Sequence, residues 1–123
     1  MTDLALVRHR IENLLATYAA LADIVDADAL SELLADATVV LGDAEPVSGR
    51  EAIAALYRRN GIAGHHLISN LLVSSATTAT ARYMRWSLDN EPRLAALGTY
   101  HIEIDPASWR ITRLALTRDW HAV

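Results

Sequence analysis

The chain contains no cysteine, which excludes disulfides, thiolate nucleophiles and thiolate metal sites together. Lysine is missing as well. All 11 basic residues are arginine, so no lysine Schiff base can form. The five glycines are scattered and build no phosphate-binding loop. Acidic residues outnumber basic ones by 15 to 11, which leaves no electrostatic footprint for nucleic acid or an anionic membrane surface. No apolar run approaches the ~20 residues of a membrane-spanning helix. Met1-Thr2-Asp3-Leu4 has neither the basic start nor the apolar stretch of a secretory signal. These absences point to a cytoplasmic protein. Any chemistry it performs must use carboxylates, imidazoles, phenols and guanidinium groups.

What is present suits one domain over residues 1–123. Of these residues 52% are apolar, and a chain of this length buries roughly two thirds of its unfolded surface. Residues 4–25 read as a long amphipathic helix, with Ile11, Leu14, Leu15, Tyr18, Leu21, Ala22 and Val25 at three- and four-residue spacing. Asp23 falls near its C-terminal end, where the helix dipole disfavours a carboxylate. Asp26 or Asp28 can cap a short second helix over 28–35, and Thr38–Leu41 reads as a strand ending in a Gly42-Asp43 turn. Ser48 and Glu51 form a capping-box pattern that opens a third helix to about Arg59, and Asn60-Gly61 suggests a left-handed cap.

After Gly64 the apolar period changes from helical to alternating. Four strands follow, over 65–74, 78–88, 95–104 and 109–120, joined closely enough to form an antiparallel meander. Helices first and a meander second give an α+β architecture, with helices on one face of a curved sheet.

The first of these strands, His65-His66-Leu67-Ile68-Ser69-Asn70-Leu71-Leu72-Val73, carries the polar residues that need explaining. Strict alternation sends His66, Ile68, Asn70 and Leu72 to one face, and His65, Leu67, Ser69, Leu71 and Val73 to the other. The second set is nearly all apolar and reads as the packed face. An unpartnered buried polar group costs about 1–3 kcal/mol, so His66 and Asn70 need partners. Neighbouring backbone or a ligand could supply them.

The order of pieces resembles the nuclear-transport-factor-2-like, or cystatin-like, α+β cone family, and within it the SnoaL-like group. The matching pieces are Tyr18-(x4)-Asp23-x-x-Asp26, Leu33-Leu34-Ala35-Asp36-Ala37, Gly49-Arg50-Glu51-Ala52-Ile53, His66-Leu67-Ile68-Ser69-Asn70, Ala79-Thr80-Ala81-Arg82, Gly98-Thr99-Tyr100-His101 and Trp109-Arg110-Ile111. The resemblance implies a cone whose mainly antiparallel sheet encloses a pocket. Scytalone dehydratase and the hexachlorocyclohexane dehydrochlorinase have the nearest site pattern. They place an Asp at the end of the first helix and a His at the start of the first long strand, and these positions are Asp23 and His66 here.

The implied chemistry is a cofactor-independent lyase or isomerase, of dehydratase or cyclase type, acting on a small, largely apolar, cyclic or carbonyl-bearing molecule. His66 would be the general base and Asp23 its orienter. Tyr18, Tyr57, Asn70, Trp86 and His101 are candidate substrate-binding residues. His65, His9 and His121 read as surface positions, and no metal site is expected. The alternative is a non-catalytic ligand-binding or dimerisation module that keeps the dyad as a structural hydrogen bond. A sheet covered on one side only would leave its outer face exposed, so a homodimer, or a trimer, is expected. Alternation over 111–120 puts Leu114, Leu116 and Trp120 on one face and Ile111, Arg113 and Ala115 on the other.

Overall fold

The computed structural model describes residues 3–122, so the reading of Met1 and Thr2 as part of the chain's start lies outside it. Three helices precede the long strands. Helix α1 spans Leu4–Asp23, and Asp3 caps it by accepting the N–H groups of Ala5 and Leu6 at 2.9 and 3.2 Å. Its apolar stripe, Val7, Ile11, Leu15, Tyr18 and Ala22, is buried. Helix α2 spans Ala27–Leu33 and uses Asp26 as its cap. Helix α3 spans Arg50–Asn60 and buries Ile53, Leu56 and Tyr57.

Six strands form one sheet. They are β1 (Thr38–Leu41), β2 (Val47–Ser48), β3 (His65–Val73), β4 (Thr78–Ser87), β5 (Arg93–Ile104) and β6 (Ile111–His121), in the order β2-β1-β6-β5-β4-β3. The meander β3 to β6 is antiparallel as expected, and β1 adds to β6 in parallel, so the sheet is mixed. Four register shifts interrupt the ladders of the meander. Each extra residue sharpens the local twist, and the sheet curls around the helices without closing. The result is the α+β cone.

Several local expectations need correction. Ser48 does not cap α3; it pairs with Thr38 through β2, their hydroxyls 3.1 Å apart, and Gly49 at φ 90° takes the cap position. Gly61 is extended, not left-handed. Glycine is required there for space, because a Cβ would collide with Val25 and the Tyr57 carbonyl.

The largest correction is in β3. A bulge lies between Ser69 and Leu72, with Asn70 at φ 54°. It inverts the alternation midway, so His66 and Ile68 share the inner side with Leu71 and Val73, while Asn70 and Leu72 are exposed. Bulges in β6 act similarly. Ile111 opposes Ile104 on the inner face, whereas Trp120 opposes Leu97 on the outer face and is 46% exposed.

Candidate active site

Asp23 is the last residue of α1, and both of its acceptors reach the chain entering β3. Its carbonyl accepts the Gly64 N–H at 3.1 Å. Its Oδ1 accepts the His66 backbone N–H at 2.7 Å and lies 2.7 Å from His66 Nδ1. An ionised carboxylate can only accept, so the imidazole proton sits on Nδ1 and Nε2 is left as the free acceptor. Two charge-assisted bonds offset the poor position of a carboxylate at a helix C-terminus. Burial lowers the pKa of His66 below its ordinary 6.5; the bond and charge of Asp23 pull it up, and Arg85 and His65 push it down. The ring is therefore neutral at pH 7.

His66 borders a cavity of about 500 Å³ bounded by all three helices and by β1, β3, β4, β5 and β6. All four tyrosines of the chain line it. Tyr83 stacks on Tyr100 with ring centroids 4.8 Å apart, and Tyr18 meets Tyr100 edge-on at 5.6 Å. The Tyr18 and Tyr57 hydroxyls are 2.9 Å apart. The Tyr83 ring occupies space that a side chain on Gly98 would fill. Burial pushes the Tyr18 pKa up to about 12 and raises those of Tyr57, Tyr83 and Tyr100. All four remain protonated donors at neutral pH. The Tyr100 hydroxyl is buried and has no hydrogen-bond partner among the described residues. Val25, also on the wall, holds φ 50°, a strained value for a β-branched residue.

The structure therefore brings together Asp23, His66, Tyr18 and Tyr57. Asn70 is separated from them. The bulge turns it toward a second groove of about 520 Å³ between α1 and β3, which Asp23 and His66 also border. The dyad thus forms part of the wall between the two spaces. Trp86 lies on the outer face opposite His65, and His101 is exposed there between Thr80 and Ala115, so neither lines the cavity. His65 is exposed, its Nδ1 4.0 Å from Asp23 Oδ2. Sequence reasoning missed Tyr83, Tyr100, Arg85, Arg118 and His121, all on the cavity wall. Alternation with Ala79 and Ala81 in β4, and with Ile102 and Ile104 in β5, would have placed the two tyrosines on the inner face.

A curled sheet over helices, with an Asp–His pair beside a phenol-lined cavity, defines an α+β cone protein with an internal pocket. The SnoaL-like domain family matches residues 4–115, and the chain belongs to that family. No curated protein sequence matches it. Among solved structures it is similar to an NTF2-like protein with a cystatin-like fold from Novosphingobium aromaticivorans, at 27% identity over 98% of this chain and 86% of that one, with a TM-score of 0.68. A provisionally assigned scytalone dehydratase from the same organism shares 24% identity over 100% and 94% of the two chains, with a TM-score of 0.67. ActVI-ORFA from Streptomyces coelicolor is 14% identical over 91% and 97%, with a TM-score of 0.76. The last two likenesses speak to the fold alone.

Proposed function

We propose that the protein is a cofactor-independent lyase or isomerase that acts on a small cyclic, carbonyl-bearing molecule, working as one domain in the cytoplasm. The observation that carries this reading is Asp23 Oδ1 at 2.7 Å from His66 Nδ1, in a pair that borders a 500 Å³ cavity through its imidazole. Ligand sites are commonly cavities of this size with a few convergent polar groups. Nε2 of His66 takes the proton from a carbon next to the carbonyl, and the electron pair moves onto the carbonyl oxygen. Buried phenols, Tyr100 above all, donate hydrogen bonds to that oxygen. The proton then returns to a neighbouring carbon, or a leaving group departs. Asp23 holds the tautomer and stabilises the imidazolium.

Its test is an assay of His66→Ala and His65→Ala with aromatic and cyclic ketones. Loss of turnover with His66→Ala alone supports the reading, and normal turnover by that variant refutes it.

A homodimer belongs to the same proposal. Leu67, Met84, Leu97 and Trp120 are successive cross-strand partners and form an apolar row across the outer face of β3 to β6. Leu67 is 45% exposed and Trp120 46%. A second copy would cover the row, and sedimentation showing a monomer at micromolar concentration would contradict it.

A further inference from the structure

The cavity has two unlike ends. Its deep part is walled by Tyr18, Tyr57, Tyr100 and aliphatic side chains, whereas Arg85, Arg118 and His121 stand nearer its rim; the carboxylates that oppose them are Asp43 on the wall, Asp23 behind His66 and Asp119 next to Arg118. Arg8, Arg50, Arg58 and Arg110 all form ion pairs. Arg85 and Arg118 form none among the described residues, a state they share with Arg10, Arg59, Arg82, Arg93 and Arg113, but of these only Arg85 and Arg118 line the cavity. Arg85 is half-buried and directly opposes His66 in the β3–β4 ladder. Arg118 lies across Gly98 from Tyr83. Burial raises the Tyr83 pKa; both guanidinium groups pull it down, and the Asp119 carboxylate pushes it up, so Arg85 and Arg118 both act at that hydroxyl.

We infer that the cavity takes an anionic substrate: a cyclic or aromatic molecule bearing a carboxylate or an equivalent oxyanion, held by Arg85 and Arg118 with its ring against the tyrosines. The inference rests on reading this cavity as the substrate site and names the class of molecule it accepts. A guanidinium fork matches a carboxylate in geometry and charge, and the half-burial of Arg85 strengthens its share of the bond. The placement also suits the acid–base step. A negative group anchored at Arg85 sits on the strand position opposite His66, which holds the attached ring between the base and the phenols that bind its carbonyl. The same positive charge stabilises the anion that proton removal creates.

The test compares 2-naphthoate with 2-naphthamide, two probes of one shape that differ in charge, by calorimetric titration of the full chain. At about 50 mM salt the carboxylate should bind at least about tenfold more tightly than the amide, and the margin should narrow as salt screens the rim. Arg85→Gln and Arg118→Gln should each reduce the margin several-fold. Arg118 is exposed, so its variant keeps the test decisive should Arg85→Gln fail to fold. Equal affinity for the two probes, no measurable binding of the carboxylate, or an unchanged margin in Arg118→Gln would overturn the inference. The readout is binding, so it stands apart from turnover. Asp23→Asn should cut turnover about 10²–10⁴-fold and keep the carboxylate preference, which separates a failure of the dyad from a failure of the anion site.

Discussion

Replacing Asp23 by Asn keeps the side chain's shape and removes its charge. The carboxylate serves two donors at 2.7 Å, the His66 backbone N–H and His66 Nδ1, and is only 22% exposed. A hydrogen bond to a charged group contributes about 1.5–3 kcal/mol against about 0.5–1.5 for a neutral one, so the two bonds together lose roughly 2 kcal/mol. That lowers the melting temperature of a chain of this size by roughly 5–10 °C. The effect on chemistry is larger. An asparagine amide can turn its N–H toward Nδ1, which moves the imidazole proton to Nε2 and leaves the base no lone pair toward the cavity. Turnover should fall about 10²–10⁴-fold, the range of a general base's contribution. Nitrogen-15 NMR of the labelled protein reads the tautomer directly. Nδ1 should be the protonated nitrogen in the parent and lose that preference in the variant. A parent imidazole protonated on Nε2, or a variant with full activity, would refute the mechanism.

Further outcomes follow from the same geometry. His66 has a pKa below 6.5, because burial outweighs Asp23. The acid limb of any pH–rate profile should therefore lie below pH 6.5, and a midpoint above 7 would contradict it. The unfolded chain binds a proton at His66 more readily than the native one, so this residue's share of stability is present above pH 6.5 and shrinks as pH falls through that value. Denaturant titrations of the parent and His66→Gln, between pH 5 and 7.5, should show the parent losing stability more steeply. Gly98→Ala places a methyl group where the Tyr83 ring and the Thr117 carbonyl already sit, and should cost about 1–3 kcal/mol by thermal melting. An unchanged melting temperature would mean that the ring is not held there. Trp120→Glu sets a charge in the outer apolar row, and should shift sedimentation from dimer to monomer while leaving far-ultraviolet dichroism intact.

Much of the fold was legible because helical spacing and alternation are long-range signals. The stripe of α1 and the alternation of β4 and β5 each repeat several times, so a single exception does not hide them. Bulges are different. One extra residue near Asn70, Thr112 or Asp119 leaves composition and strand length unchanged, yet inverts every side chain beyond it. That is why Asn70, Leu71, Val73, Ile111 and Trp120 were assigned to the wrong faces. His66 precedes the first bulge, so its separation from His65 survives. The turn at Gly61 and the cap at Gly49 were misread for another reason. A glycine signals freedom in sequence, but only the packed neighbours reveal whether that freedom is spent on angle or on space.

The position of the dyad follows from two local deficits that cancel. A carboxylate on the last residue of a helix with no basic side chain in its final turn is disfavoured by the dipole. Strand β3 lies at the edge of the sheet, so half of its backbone polar groups have no ladder partner. Asp23 answers both by accepting the free N–H of His66, and near the other end of the strand Arg8 donates to the Leu71 carbonyl at 2.8 Å. Helix α1 thus covers the edge of β3 through charged side chains. Once Asp23 is fixed by the backbone of His66, the same oxygen also lies within hydrogen-bond distance of that residue's ring. The orientation of the proposed base is therefore a by-product of closing the sheet edge, and it arises in the folded chain before any ligand arrives.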